Sequence, residues 1–169
     1  MKRKLIITLI ILLSFVMMIA CSNQGEKSTA DSHKGNKESR ESTHGVSDLR
    51  EETKDVETLP RFLTEKPDDM QLIYQAAAIN QDLLEKIPCY CGCGEEAGHK
   101  NNYDCFVFEN KKSGAIVWDD HGTKCGVCLE IAAKSVLDYS KGKSIKEIRN
   151  TIDETYKQGY AKPTPTPEM

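Results

Sequence analysis

Six of the chain's seven cysteines fall between Cys89 and Cys128. They run Pro88-Cys89-Tyr90-Cys91-Gly92-Cys93, then Cys105, then Cys125-Gly126-Val127-Cys128. Thiols this concentrated form disulfides, bind a soft metal or exchange electrons, and the surrounding fold must serve one of these ends. Cysteines at alternate positions point to opposite faces of a strand, so Cys89, Cys91 and Cys93 converge only if the backbone curls. Gly92 and Gly94 permit that curl.

The N-terminus indicates the compartment. Lys2, Arg3 and Lys4 precede an apolar run from Leu5 to Ile19, interrupted only by Thr8 and Ser14. This is the layout of a secretory signal, too short and one-sided for a settled membrane span. Its end, Met18-Ile19-Ala20-Cys21, resembles the lipobox of bacterial lipoproteins, with Met18 where Leu is more usual. Residues 1–20 are therefore expected to be a lipoprotein signal peptide and Cys21 the lipidated residue. Acylation anchors such a chain to the outer face of the cell membrane, each buried CH₂ adding about 0.8 kcal/mol. Disulfides are permitted there, and the six remaining cysteines pair without remainder.

Composition divides the rest. Residues 21–66 comprise the lipidated cysteine and a polar segment expected to be a disordered tether, because it has too little apolar surface to offset the entropy of ordering. His33 and His44 read there as solvated side chains, and Leu59-Pro60-Arg61-Phe62-Leu63 as a stretch able to dock on the domain. Residues 159–169 alternate proline with threonine and are expected to be extended, without a core. Residues 67–158 remain as one small cysteine-rich domain. The net charge of −3 and the absence of basic residues interleaved with aromatics argue against a nucleic-acid partner.

The domain reads as mostly α, with small α+β as the alternative: about three helices, a cysteine-rich loop and a short β-hairpin. A helix opening at Pro67-Asp68-Asp69 is expected to run to about Lys86, burying Leu72, Ala76, Ile79, Leu83 and Ile87, until Pro88 stops it. Phe106–Phe108 and Ala115–Trp118 flank a Gly114 turn and suggest the hairpin, with a short helix as the alternative for the first strand. A second helix is expected from near Thr123 to Ser140, its inner face made of Cys128, Ile131, Ala132, Ser135, Val136 and Tyr139. Gly142 ends it. Ser144 and Glu147 form a capping box for a last helix that buries Ile145, Ile148, Ile152 and Tyr156.

Thiolates suit copper(I) and zinc. Cys125 and Cys128 share one face of a first helical turn, where the helix N-terminus favours the thiolate. The candidate metal ligands are Cys89, Cys91, Cys93, Cys105, Cys125, Cys128, His99 and His121, enough for two tetrahedral zinc sites or one polynuclear copper(I) cluster. Structural disulfides are an equally weighted alternative, with a thiol-disulfide exchange pair at Cys125-Gly126-Val127-Cys128 behind both. Asp119 and Asp120 read as a helix cap or as outer partners of His121. Tyr90, Tyr103 and Trp118 read as packing. No Ser-His-Asp arrangement and no convincing carboxylate pair is present, so no catalytic residue is assigned.

Pro88-Cys89-Tyr90-Cys91-Gly92-Cys93, with His99, Tyr103-Asp104-Cys105-Phe106, Trp118-Asp119-Asp120-His121-Gly122 and Cys125-Gly126-Val127-Cys128, resembles the PCYCGC-motif family of secreted bacterial lipoproteins. The resemblance covers residues 67–158 and the lipobox. It implies a lipoprotein with a shared thiol site, at a Gram-positive cell surface, and supplies no reaction. The expected role is capture, buffering or delivery of copper or zinc, with the membrane and a metal-donor or acceptor protein as partners. The rival is a disulfide-stapled interaction module.

Overall fold

A computed structural model describes residues 48–92 and 94–169. The signal segment, Cys21, His33, His44 and Cys93 lie outside the described residues. Arg50–Thr53 (β1), Val107–Asn110 (β2) and Ile116–Asp119 (β3) form an antiparallel sheet in the order β1-β3-β2. The hairpin of β2 and β3 is the expected one. It pairs Val107 with Trp118 and Asn110 with Ile116, with an irregularity between Val107 and Glu109.

β1 corrects the expectation that residues 48–66 belong to a disordered tether. It pairs along its length with β3, Arg50 opposite Asp119 and Thr53 opposite Ile116. The strand is polar, and its side chains are held by partners rather than by burial. Arg50 Nε lies 3.2 Å from Asp119, Glu51 accepts from the Arg61 backbone N–H at 3.0 Å, and Thr53 Oγ1 accepts from Trp118 Nε1 at 2.8 Å. Downstream, Arg61–Leu63 makes a 3₁₀ turn. Leu63 is buried there, and the Phe62 ring meets Tyr74 edge-on at 5.9 Å, so this stretch docks as expected.

The helices are Asp68–Ile79 (α1), Gln81–Leu84 (α2), Gly94–Ala97 (α3), Gly126–Ser140 (α4) and Ile145–Tyr156 (α5). The first expected helix is thus split. At Asn80 the side-chain amide donates to the Ala76 carbonyl at 2.8 Å, a local bond that competes with helical pairing and ends α1. Its buried face also differs. Tyr74, Ala77 and Ala78 are buried, whereas Leu72 is 65% and Ile79 is 64% exposed. Leu83 and Ile87 are buried as expected.

The start of the second expected helix is instead a 3₁₀ turn, His121–Lys124, and α4 begins after Cys125. Cys128, Ile131, Ala132 and Ser135 form its buried face, joined by Asp138, while Tyr139 is exposed. α5 carries the expected capping box, with Ser144 Oγ accepting from the Glu147 N–H and Glu147 accepting from the Ser144 N–H at 2.9 Å. Tyr74, Phe106 and Trp118 meet at the centre of the core, with Tyr74 edge-on to Phe106 at 5.0 Å.

Residues 159–169 are extended, yet they pack on the domain, which corrects their reading as a coreless tail. The Thr164 N–H donates to the Cys89 carbonyl at 2.9 Å, and the Cys89 N–H donates to Thr164 Oγ1 at 2.9 Å. Thr166 is buried and donates to the Lys100 carbonyl at 2.9 Å. Arg149 of α5 donates to the Pro167 carbonyl. Free of helix and sheet, this segment finds its hydrogen-bond partners in the backbone of the cysteine loop.

Candidate metal centre

Pro88 ends the helical region, and the chain enters the cysteine loop with Cys89 buried and Cys91 half-buried. Gly92 has φ +82°, the left-handed conformation that the expected curl requires. Space matters as well. A Cβ on Gly94 would lie 2.6 Å from Thr164 Cγ2, so the tail approaches this loop too closely for any side chain there. Gly92 thus lets the loop curl, whereas Gly94, expected to share in the curl, has no positive φ and instead makes room for the tail.

Cys105 arrives on the 3₁₀ turn Tyr103–Cys105, Cys125 caps α4, and Cys128 sits in its first turn. Buried Asn102 ties these parts together. Its backbone N–H donates to the Ile87 carbonyl at 2.8 Å and its Nδ2 to the Cys128 carbonyl at 3.2 Å. The sulfurs of Cys89, Cys105 and Cys128, all buried, lie within 4.8 Å of one another. Those of Cys91, Cys125 and Cys128 make a second group within the same limit. Cys128 belongs to both groups. No disulfide joins these five cysteines. The Sγ atoms of Cys89 and Cys128 lie 3.5 Å apart. A tetrahedral zinc site with Zn–S bonds of 2.3 Å has S–S edges of about 3.8 Å, so the spacing fits thiolates around one ion.

The expected histidines join the cluster. His99 follows α3, His121 opens the turn after β3, and their rings meet at 4.5 Å between centroids. A nitrogen of each, with the Cys105 sulfur, forms a third group within 4.8 Å. Asp48 and Asp119 were not singled out as ligands by the sequence. One oxygen of each, with a His99 nitrogen, forms a fourth such group. Asp119 is fully buried and accepts from the His121 N–H at 2.9 Å, which makes it a neighbour of the site, while the N-cap position of the turn is Asp120, whose side chain makes no capping bond. Nothing in the polar stretch around Asp48 signals its place, since β1 carries it there. Thr164 was missed for a similar reason: its role depends on a pairing across 75 residues.

The electrostatics are those of a proton-sharing thiol cluster. Hydrogen bonding to Cys105, Cys128 and Cys89 pulls the Cys91 thiol well below its ordinary range. Cys105 is pushed the other way, as hydrogen bonds to Cys128, Cys89 and Cys91 hold a proton on a wholly buried sulfur. The Cys91 sulfur raises the His121 pKa against the opposing effect of burial, and Asp48 adds to the rise. Burial lowers that of His99, as does the neighbouring His121 charge. Hydrogen bonding to Cys105 and Cys128 also pulls the buried Cys89 thiol down, so negative charge is directed to Cys91 and Cys89, while Cys105 keeps its proton until something replaces it. A cation does so.

A family model described as a protein of unknown function with PCYCGC motif matches residues 9–169. The chain belongs to this PCYCGC family. No curated protein and no solved structure matches it. The PCYCGC hexapeptide supplies Cys89 and Cys91 to the cluster, and its Cys93 lies outside the described residues. The buried Cys and His groups of this PCYCGC protein have the donor types and spacing to hold a metal ion.

Proposed function

We propose that this chain is a lipid-anchored, extracytoplasmic protein whose cysteine cluster binds copper or zinc, for capture, buffering or delivery at the outer face of a Gram-positive cell membrane. One observation carries the metal reading: Cys89, Cys105 and Cys128 come from three separate parts of the fold, and their sulfurs still converge within 4.8 Å. Packing alone would not demand three polarizable, ionisable side chains at one buried point. Sharing of Cys128 between two sulfur groups suits bridging thiolates.

Access is provided for. A cleft of about 580 Å³ between the cysteine loop and the tail is lined by Cys89, Gly92, Gly94, His99 and the segment around Thr164. An ion entering by this route meets the cluster at Cys89 and His99. The lipobox at Met18-Ile19-Ala20-Cys21 supports the anchor. Replacing Cys21 with Ala should release the chain from the membrane fraction, and retention there would contradict the anchor.

The metal reading is tested by titrating the reduced whole chain with zinc, and separately with copper(I), against the variant C89A/C128A. Loss of at least one ion per chain is expected. An unchanged ion count would contradict it.

A second reading is favoured by the Cys89–Cys128 spacing of 3.5 Å. Small side-chain rotations would bring the sulfurs to the roughly 2.05 Å of a disulfide. The pair would then be a staple or an exchange site, its two electrons and two protons passing to an extracellular oxidant. A reduction potential below about −300 mV marks a staple, and a higher one marks exchange.

A further inference from the structure

The histidine side of the cluster has donors of a different class from the sulfur side. His99 is 6% exposed, and neither of its ring nitrogens has a hydrogen-bond partner. His121 is 7% exposed, and its Nε2 makes no well-formed hydrogen bond. A buried imidazole with both nitrogens unsatisfied, that of His99, is costly as mere packing, while the neighbouring His121 has Asp48 at Nδ1 and the Cys91 sulfur beside it. One nitrogen of each ring and the Cys105 sulfur lie within 4.8 Å of one another.

We propose that His99, His121 and Cys105 form a second metal compartment, for a borderline divalent ion of the zinc class, adjoining the sulfur compartment through Cys105. The inference rests on the metal-binding reading above and extends it to a different donor set. Imidazole nitrogen with a single sulfur favours zinc or copper(II), whereas a site of sulfurs alone favours copper(I) as well as zinc.

Asp48 is a positioning residue for this compartment. Its Oδ2 lies 3.2 Å from Nδ1 of His121, an arrangement that places the ring proton on Nδ1 and leaves the Nε2 lone pair for the ion. Asp48 is itself held, with Lys124 Nζ 3.3 Å from its other oxygen. Asp119 brings a second carboxylate within 4.8 Å of His99. Its oxygens already accept from the His121 N–H at 2.9 Å and from Arg50 at 3.2 Å, so it contributes charge beside the ion rather than a free ligand.

The test is a zinc titration of the reduced whole chain, counting bound ions by native mass spectrometry. The histidine variant H99A/H121A should bind one zinc ion fewer per chain. The sulfur variant C89A/C128A should keep one zinc ion, on His99, His121 and Cys105. The mild variant Asp48→Asn, which keeps the side chain's size, should bind the same number but hold one ion about tenfold to a hundredfold more weakly. An H99A/H121A count equal to that of the parent would overturn the second compartment. So would abolition of all binding by either double variant, which would mean a single shared site. An unchanged affinity in Asp48→Asn would overturn the positioning role, and this arm stands even if H99A/H121A does not fold. A drop in H99A/H121A beside an unchanged count in C89A/C128A would sink the sulfur site and leave the histidine compartment standing.

Discussion

The sulfurs of Cys89 and Cys128 stand 3.5 Å apart across 39 residues of sequence. One follows the proline that ends the helical region, and the other lies in the first turn of α4. Asn102 holds their two parts of the chain together through the Ile87 and Cys128 carbonyls. Because Cys128 serves both sulfur groups and Cys125 only one, their removal should have unequal effects. Cys128→Ser should weaken copper(I) binding at least about tenfold more than Cys125→Ser, equivalent to about 1.4 kcal/mol. Competition against a chromophoric chelator measures both, and equal losses would contradict a shared Cys128.

The contact between Gly94 and Thr164 leaves no room for a methyl group. Gly94→Ala places a Cβ 2.6 Å from Thr164 Cγ2, so the tail must move. A destabilisation of about 1–3 kcal/mol is expected. Thr164→Ser removes the clashing methyl and keeps the hydroxyl that Cys89 N–H donates to, so the double variant should recover much of the loss. Urea unfolding of the four chains of this cycle decides it, and additive losses would show that the tail is not what Gly94 accommodates.

Elements set by neighbouring residues were legible in the sequence. The capping box of Ser144 and Glu147, the Gly114 hairpin and the Pro88 stop each rest on a few adjacent side chains. The apolar face of α1 was misread because two stripes compete there. Leu72, Ala76 and Ile79 recur at helical spacing, as do Tyr74, Ala77 and Ala78, and the aromatic centre formed with Phe106 and Trp118 selects the second stripe. β1 was illegible because its Arg-Glu-Glu-Thr sequence is polar, and only partners such as Trp118 and Asp119 make it a strand. The ligand residue types were readable from spacing and chemistry. Their division into sulfur and histidine sides was not, since His99 and His121 meet only once the chain has folded.

The Ser144–Glu147 cap provides a test remote from the metal centre. Ser144→Ala removes the acceptor for the Glu147 N–H and should cost about 1 kcal/mol. Thermal unfolding should report this loss with metal binding unaltered. A change in ion count would show that α5 shapes the site directly.

Asp138 sets part of the acid response. Lys143 and then Lys134 hold its carboxyl below the ordinary value of 3.8. The folded protein therefore binds this proton less readily than the unfolded chain does. The stabilisation is present above the unfolded value and is lost as pH falls through the lower folded one. Asp138→Asn should flatten the loss of stability below pH 3.8, and the difference should shrink in high salt, since both lysines are partly exposed. Acid titrations followed by circular dichroism test it, and parallel curves for the two chains would contradict the pairing.

The central claim is that the clustered thiols are a metal site, and the metal content of the protein as the cell makes it tests this most directly. The whole chain would be purified from the cells that make it without chelator or reductant and weighed by native mass spectrometry. A mass excess of one or more copper or zinc ions, smaller by at least one ion in C89A/C128A, is the expected result. A metal-free chain lighter by two hydrogens for each disulfide would contradict it and leave the cluster as a staple or an exchange site.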